Sequence, residues 1–475
     1  MPHVKELPEI KRIYLIGIAG TAMASLAGML KERGYEVGGS DEHVYPPMST
    51  YLEQLRIPVL EGYTKEHLLT FRPDLVVIGN VAAVTNAEAA ATLELDLPYT
   101  SMPEAIYELF IKGKHSIVVT GTHGKTTTTS LMAWILEAAG RDPSMVVGGI
   151  PVNFNHNYKL GGGPEFVIEG DEYNTSFFDK GPKFLHYGAN TLIVNNIEFD
   201  HADIYPDLAA IVEAFRKAVR AVAPGDTIVA NGDDRNVVSL RGDAKARWLT
   251  FGWERTRDVF ATDDEEHPDG TSFTAWWEGK EWFRFRSTLS GRHNVLNALA
   301  DIAAARLRGL SAEEIQKGLE SFQGIKRRME VRGVERGVTV IDDFAHHPTA
   351  IATTLAGARK RYPGRRIWAL FEPRSISSSR KEFESGYIEA FHEADRVVIG
   401  PIFHRDRYET RYGLDKMMAV PEILRSLDGR GVQIDDFDQI ARYVAAEAED
   451  GDVVLVMSSG AFGGVHEKIL DRLRA

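Results

Sequence analysis

Gly121-Thr122-His123-Gly124-Lys125-Thr126-Thr127-Thr128 is the stretch whose reading decides the fold. It follows the apolar run His115 to Thr120 and opens the apolar-periodic segment Thr126 to Ala139. Strand, glycine turn and helix in that order aim backbone N–H groups and a helix N-terminus at a phosphate. Lys125 is then a point charge for the β and γ oxygens, and the Thr126 hydroxyl a ligand for Mg²⁺. Two residues separate the glycines where the common nucleotide loop has four, which sets the chain apart from the usual nucleoside triphosphatases and kinases.

Upstream, short apolar runs alternate with helical patterns: Ile13 to Ile18, Thr21 to Arg33, Tyr35 to Gly38, Met48 to Leu55, Leu75 to Ile78 and Asn86 to Glu94. Such alternation reads as a parallel sheet with helices on its faces. A second glycine turn, Gly17-Ile18-Ala19-Gly20-Thr21-Ala22-Met23, joins a strand to a helix, and Asp41 stands where a dinucleotide fold places its ribose-binding acid. Ala19 and Ala22 replace the second and third glycines of that fingerprint. A phosphorylated ligand other than a dinucleotide is therefore expected, with a nucleotide-dependent dehydrogenase as the rival and a structural turn as the plain alternative.

Downstream, Glu169, Asp171 and Glu172 follow one apolar run, and Asn196-Ile197-Glu198-Phe199-Asp200-His201-Ala202-Asp203 follows another. Parallel strands present their C-terminal ends to one crevice, so these carboxylates and His201 are expected to converge on Mg²⁺ near Thr126. Val259 to Phe285 alternates aromatic and polar residues between turns and reads as an antiparallel edge sheet; Val295 to Leu307 reads as helix. Alternation restarts at Val338 to Ile341, with further strands at Ile367 to Phe371, Val397 to Ile399 and Val453 to Met457. Asp342-Asp343-Phe344-Ala345-His346-His347-Pro348 ends the first of these, and Arg327 and Arg328 stand on the boundary before it.

The expectation is an α/β protein of three domains: a Rossmann-like domain over 1–110, a P-loop ATPase-type domain with a small antiparallel edge sheet over 111–326, and a second Rossmann-like domain over 327–475. At 475 residues the chain exceeds what one core supports. It has no cysteine, leaving oxygen and imidazole as metal ligands. A net charge of -13 argues against nucleic acid or anionic membrane as a partner. No run is long enough to span a bilayer, and Met1 to Lys11 is too charged for a signal peptide, so a cytoplasmic protein is expected. Residues 327–475 carry 19 Arg against 4 Lys, a skew that suits a carboxylate-bearing substrate.

The short loop GTHGKTTT, Glu169, the pair Asp200-His201, Gly291 to Asn297, Arg328 and DDFAHHP together resemble the Mur ligase family. The likeness spans Ile13 to beyond Gly464, and SDEHVYPPMS (40–49), GDEYNTSFFDK (170–180), EPRS (372–375) and MSSGAFGG (457–464) point to its tripeptide-adding branch over the L-alanine-adding one. The resemblance implies an ATP- and Mg²⁺-dependent amide ligase of peptidoglycan recycling. Its substrates would be UDP-N-acetylmuramate and L-alanyl-γ-D-glutamyl-meso-diaminopimelate, with no obligate protein partner. It further implies Lys125, within Gly121 to Thr127, at the ATP phosphates; Thr126, Glu169 and His201 at metal; Asn294 and Asn297 by the adenine and phosphates; Arg328 at the γ-phosphate; Asp343 at the ribose; and His346 or His347 near the reacting amine. Gly17, Ala19, Gly20, Thr21, Ala22, Met23, Ser40, Asp41 and Asn80 would line the UDP-sugar site, and Arg374 and Ser375 the peptide site. Several relatives carry a carbamoylated lysine after the metal histidine; here that neighbourhood reads Phe215-Arg216-Lys217 and the role stays unassigned. A non-catalytic nucleotide switch would keep the phosphate loop without needing DDFAHHP or EPRS.

Overall fold

The computed structural model describes residues 10–42, 44, 48–80, 82–201, 204–267 and 269–475. His43, Tyr45, Pro46 and Pro47 of the 40–49 stretch, and Ala202 and Asp203 of the acid run, lie outside the described residues.

Three sheets follow one another along the chain. The first orders its strands β3 (Val59–Glu61), β2 (Glu36–Asp41), β1 (Arg12–Ile16), β4 (Leu75–Ile78), β5 (Tyr99–Ser101), all parallel. Strand order reverses between β1 and β4, the place where such sheets open a crevice. The glycine turn after β1 sits at that point.

The second sheet has ten strands. Its parallel centre runs β12 (Arg247–Gly252), β11 (Thr227–Asn231), β10 (Thr191–Val194), β6 (His115–Thr120), β9 (Glu165–Glu169), β7 (Ser144–Val146). β13 (Val259–His267), β14 (Gly270–Trp277) and β15 (Lys280–Ser287) extend one side as the expected antiparallel edge, and β8 (Tyr158–Lys159) closes the other. The phosphate-loop strand β6 lies between β10 and β9, so the loops after all three meet at one end.

The third sheet is β16 (Glu330–Glu335), β17 (Val338–Asp343), β21 (Val453–Met457), β18 (Ile367–Phe371), β19 (Arg396–Ile399), β20 (Gly431–Gln433), with only β16 antiparallel. Ile341, Ala369 and Leu455 face one apolar layer and Val340, Trp368 and Val454 the other, as period-2 alternation in a doubly covered sheet requires. One apolar cluster is shared by the first two units, running from Leu15 and Leu26 to Val118, Phe166 and Phe215. The third unit keeps its own cores and meets the second at a seam that includes Phe199 stacked on Phe383 at 6.1 Å.

Candidate functional site

Helix Lys125–Ala138 opens directly from the phosphate loop, with Gly124 at φ 81° and Gly121 at φ 135°. Both values belong to backbone that a side chain resists, and a Cβ on Gly124 would stand 2.6 Å from Asn297 Oδ1. The loop is clamped to the segment after β10: His123 N donates to Asn196 Oδ1 at 2.7 Å, and Glu198 N to Thr122 Oγ1 at 2.9 Å.

Lys125 Nζ donates to its own loop carbonyls, Gly121 O at 2.6 Å and Thr122 O at 3.1 Å, and to Glu172 Oε1 at 2.9 Å. Burial opposes its charge, but Glu172, Glu169 and Asp171 outweigh that and hold Lys125 above its ordinary value. His201 Nε2 lies 2.6 Å from the same Glu172 oxygen. Burial lowers its pKa, yet the Glu172 carboxylate pushes it up to about 9. His201 also sits at φ 54°, a left-handed backbone that only surrounding structure can impose on a non-glycine residue.

Thr126 Oγ1 donates to Glu169 Oε1 at 3.0 Å, so two of the three expected metal residues touch. A hydroxyl and a carboxylate oxygen suit a hard cation. Burial raises the Glu169 pKa against the pull of Lys125. The acids do not all converge: Asp171 turns away to Lys183 at 2.7 Å, and Glu198 lies by His123. The neighbourhood where some relatives carry a modified lysine contributes nothing to this cluster: Lys217 is exposed, and Arg216, which cannot be carbamoylated, pairs with Asp243 at 2.8 Å.

The first glycine turn lines a cavity with Gly17, Gly20, Thr21, Ala22, Met23, Gly79 and Asn80, joined by Met102, Thr175 and Lys183. The last two come from the second unit: Thr175 falls within the 170–180 stretch, whereas Lys183 lies just beyond it, unmarked by any motif, and pairs with Asp171. Asp41 Oδ2 accepts from Ala19 N at 2.9 Å, so it caps the turn itself. Ser40 is buried, its hydroxyl donating to Glu88 and its carbonyl accepting from Gly17 N and Ile18 N.

In the third unit, Asp343 is buried and accepts from Met329 N at 2.7 Å and Ala345 N at 2.8 Å. Burial raises its pKa despite Arg328 nearby. The Arg328 guanidinium lies 5.1 Å over the Phe344 ring. Asn297 Nδ2 donates to Asn294 Oδ1 at 3.2 Å, fixing both amides beside the phosphate loop. His346 Nδ1 pairs with Phe344 O at 3.0 Å, while His347 faces His123 with ring centroids 5.0 Å apart. Arg374 stacks over Phe403 at 4.1 Å; Ser375 is used locally, its hydroxyl accepting from Ser378 N at 2.9 Å.

Loop, acids and asparagines of the second unit thus meet the histidine pair of the third at the seam between them. The sequence matches the Mur ligase family, catalytic domain, over residues 12–113, the Mur ligase middle domain over 119–305, and the Mur ligase, glutamate ligase domain over 327–460. The chain belongs to the Mur ligase family. Among Mur ligases it is 39% identical to the UDP-N-acetylmuramate–L-alanyl-gamma-D-glutamyl-meso-2,6-diaminoheptandioate ligase of Escherichia coli, over 97% of this chain and 98% of that one. It is 33% identical to the UDP-N-acetylmuramate–L-alanine ligase of Acetivibrio thermocellus, over 97% and 96%. The crystal structure of a murein peptide ligase from Psychrobacter arcticus superposes with a TM-score of 0.74 at 34% identity, covering 98% of this chain and 99% of that one. The three-unit α/β fold is that of these Mur ligases. No helix among the described residues is long and apolar enough to cross a membrane.

Proposed function

We propose that the chain joins UDP-N-acetylmuramate to the tripeptide L-alanyl-γ-D-glutamyl-meso-diaminopimelate, using ATP, and so returns a fragment of peptidoglycan to a cytoplasmic precursor. The observation that carries the choice of acceptor is 39% identity across almost the whole chain to a relative named for that reaction, against 33% for one named for L-alanine.

A carboxylate does not condense with an amine unaided, because its oxygen is a poor leaving group. The lactyl carboxylate attacks the γ-phosphorus, the bond to ADP breaks, and an acyl phosphate forms. The tripeptide amine then attacks the acyl carbon, phosphate leaves, and the nitrogen gives up its proton. The first step brings two anions together, and Lys125 from the second unit with Arg328 at the seam supplies positive charge against that repulsion. Thr126 and Glu169 would hold one Mg²⁺ and His201 a second beside the substrate carboxylate, and the ions when bound would add positive charge at the reacting anions. Asn294 and Asn297 would orient the nucleotide, and Asp343 would meet its ribose. His346 is the histidine we place at the amine: its Nδ1 is anchored on Phe344 O, and its ring stands among Asp200, His201 and Arg328. Arg374 would receive a peptide carboxylate. The cavity at the β1–β4 switch point would take the UDP-sugar, with Lys183 reaching it from the second unit.

The test is to supply tripeptide and L-alanine separately with UDP-N-acetylmuramate and ATP. Product with tripeptide alone supports the reading; product with L-alanine alone overturns the acceptor. Lys125→Ala should end ADP release with both substrates present, and retained turnover would overturn the chemistry.

A further inference from the structure

His123, Glu198 and His347 offer one ligand atom each, all within 4.8 Å of one another. The three come from separate places: the phosphate loop, the segment after β10, and the residue preceding helix Pro348–Arg361 of the third unit. His123 Nε2 is already 3.3 Å from Glu198 Oε2. That is the edge of a tetrahedron with metal–ligand bonds of about 2.0–2.2 Å, which requires roughly 3.3–3.5 Å between ligands. His347 offers a nitrogen within 4.8 Å of both, so closing to that spacing takes at most about 1.5 Å.

Its ring is in an unusual state. His347 is 7% exposed, and among the described residues neither of its nitrogens has a hydrogen-bond partner. Buried imidazoles normally pair at least one nitrogen, because a polar atom taken out of water without a partner is costly. The ring is steered edge-on by Phe383 at 4.9 Å and faces His123 at 5.0 Å. Burial holds its pKa down to about 4, so at neutral pH it keeps a lone pair to donate. Glu198 is fixed by the Thr349 hydroxyl at 2.8 Å, and its pKa is lowered to about 2 through its bond to His123.

We propose that His123, Glu198 and His347 form a three-ligand site for one borderline divalent cation of the Zn²⁺ class, and that its occupation ties the third unit to the phosphate loop. Two imidazoles and one carboxylate suit Zn²⁺, Co²⁺ or Ni²⁺, whereas Mg²⁺ prefers oxygen ligands such as Thr126 and Glu169. The helix N-terminus behind His347 opposes a cation slightly, and Glu198 with the buried Asp200 offsets it. A ligand set shared between two units binds only when both are in place, so the ion favours the joined arrangement. The inference rests on this geometry and not on which acceptor the enzyme uses.

The experiment titrates Co²⁺ into the full-length protein, stripped of metal and held in excess Mg²⁺, and follows the visible bands of a low-coordinate Co²⁺ centre. One equivalent should bind, Zn²⁺ should displace it, and amides near 347–351 should exchange more slowly with Zn²⁺ present. His347→Ala and Glu198→Gln should each weaken binding about 10-fold or more, while Glu169→Gln leaves it unchanged. Glu198→Gln keeps the side-chain shape and an acceptor for Thr349, so it reports on the ligand charge even if His347→Ala fails to fold. Absence of binding, binding indifferent to both variants, or binding lost in Glu169→Gln would overturn the proposal.

Discussion

Asp301 lies within the helix Arg292–Leu307, one turn beyond Asn297, fully buried, and among the described residues neither carboxyl oxygen has a hydrogen-bond partner. Burial raises its pKa well above the ordinary 3.8. Asp301→Ala removes an unsatisfied polar group that costs about 1–3 kcal/mol. It gains about 0.5 kcal/mol in helix propensity and loses roughly 1 kcal/mol to the small void left behind. Ionisation adds a pH-dependent part. Below 3.8 the folded and unfolded chains both hold the proton and nothing is lost. Above it the unfolded chain ionises first, so wild-type stability falls by about 1.4 kcal/mol per pH unit until the raised folded value is passed. The variant escapes that fall. Below 3.8 it should therefore be more stable by about 0.5–2.5 kcal/mol, and that advantage should widen as pH rises until the raised folded value is passed. Thermal melts followed by circular dichroism should place its midpoint higher by about 2–4 °C per kcal/mol for a unit of this size. A lower midpoint, or an advantage that does not widen with pH, would refute the account of Asp301 as an unpaired buried acid.

Two further outcomes concern the site. Glu172→Gln removes the charge that Lys125 and His201 share; loss of one charge-assisted bond of about 1.5–3 kcal/mol should cost 10- to 100-fold in kcat/KM, and unchanged kinetics would show that the pair is not needed. Gly124→Ala adds a Cβ at 2.6 Å from Asn297 Oδ1 on a backbone at φ 81°. Left-handed strain of about 1–2 kcal/mol plus that collision should weaken nucleotide binding at least 10-fold by calorimetry while the UDP-sugar still binds.

Most of the architecture was legible because local rules carry it. Alternating apolar runs marked the parallel strands, and turn residues at Glu278-Gly279 marked the hairpin between β14 and β15. The strands passed over include β3, β5, β7, β8 and β20, of two or three residues, too short for a period to register. β11, β12 and the helix Leu208–Ala221 were also passed over, although that helix has a signal: Asp207 caps it by accepting from Ala210 N at 2.9 Å, and its apolar face is regular. At the site, residue type and strand position singled out Lys125, Thr126, Glu169 and His201, and the structure sets Thr126 on Glu169 and joins Lys125 to His201 through Glu172.

What the sequence by itself determined is therefore the three-unit α/β order, the phosphate loop and the chemical kinds of group around it. Pairing was decided by the tertiary structure. Nothing local sends Asp171 to Lys183 while Glu172 joins Lys125 to His201, or turns Asp41 onto the N–H of its own glycine turn. Nor could adjacency separate His346 from His347: successive residues point different ways, and only the docking of the third unit puts one ring toward His201 and the other against His123. Side-chain charges act over a few ångströms and are strongest where water is excluded. Which carboxylate meets which cation is thus fixed when distant strands of the sheet bring their ends together.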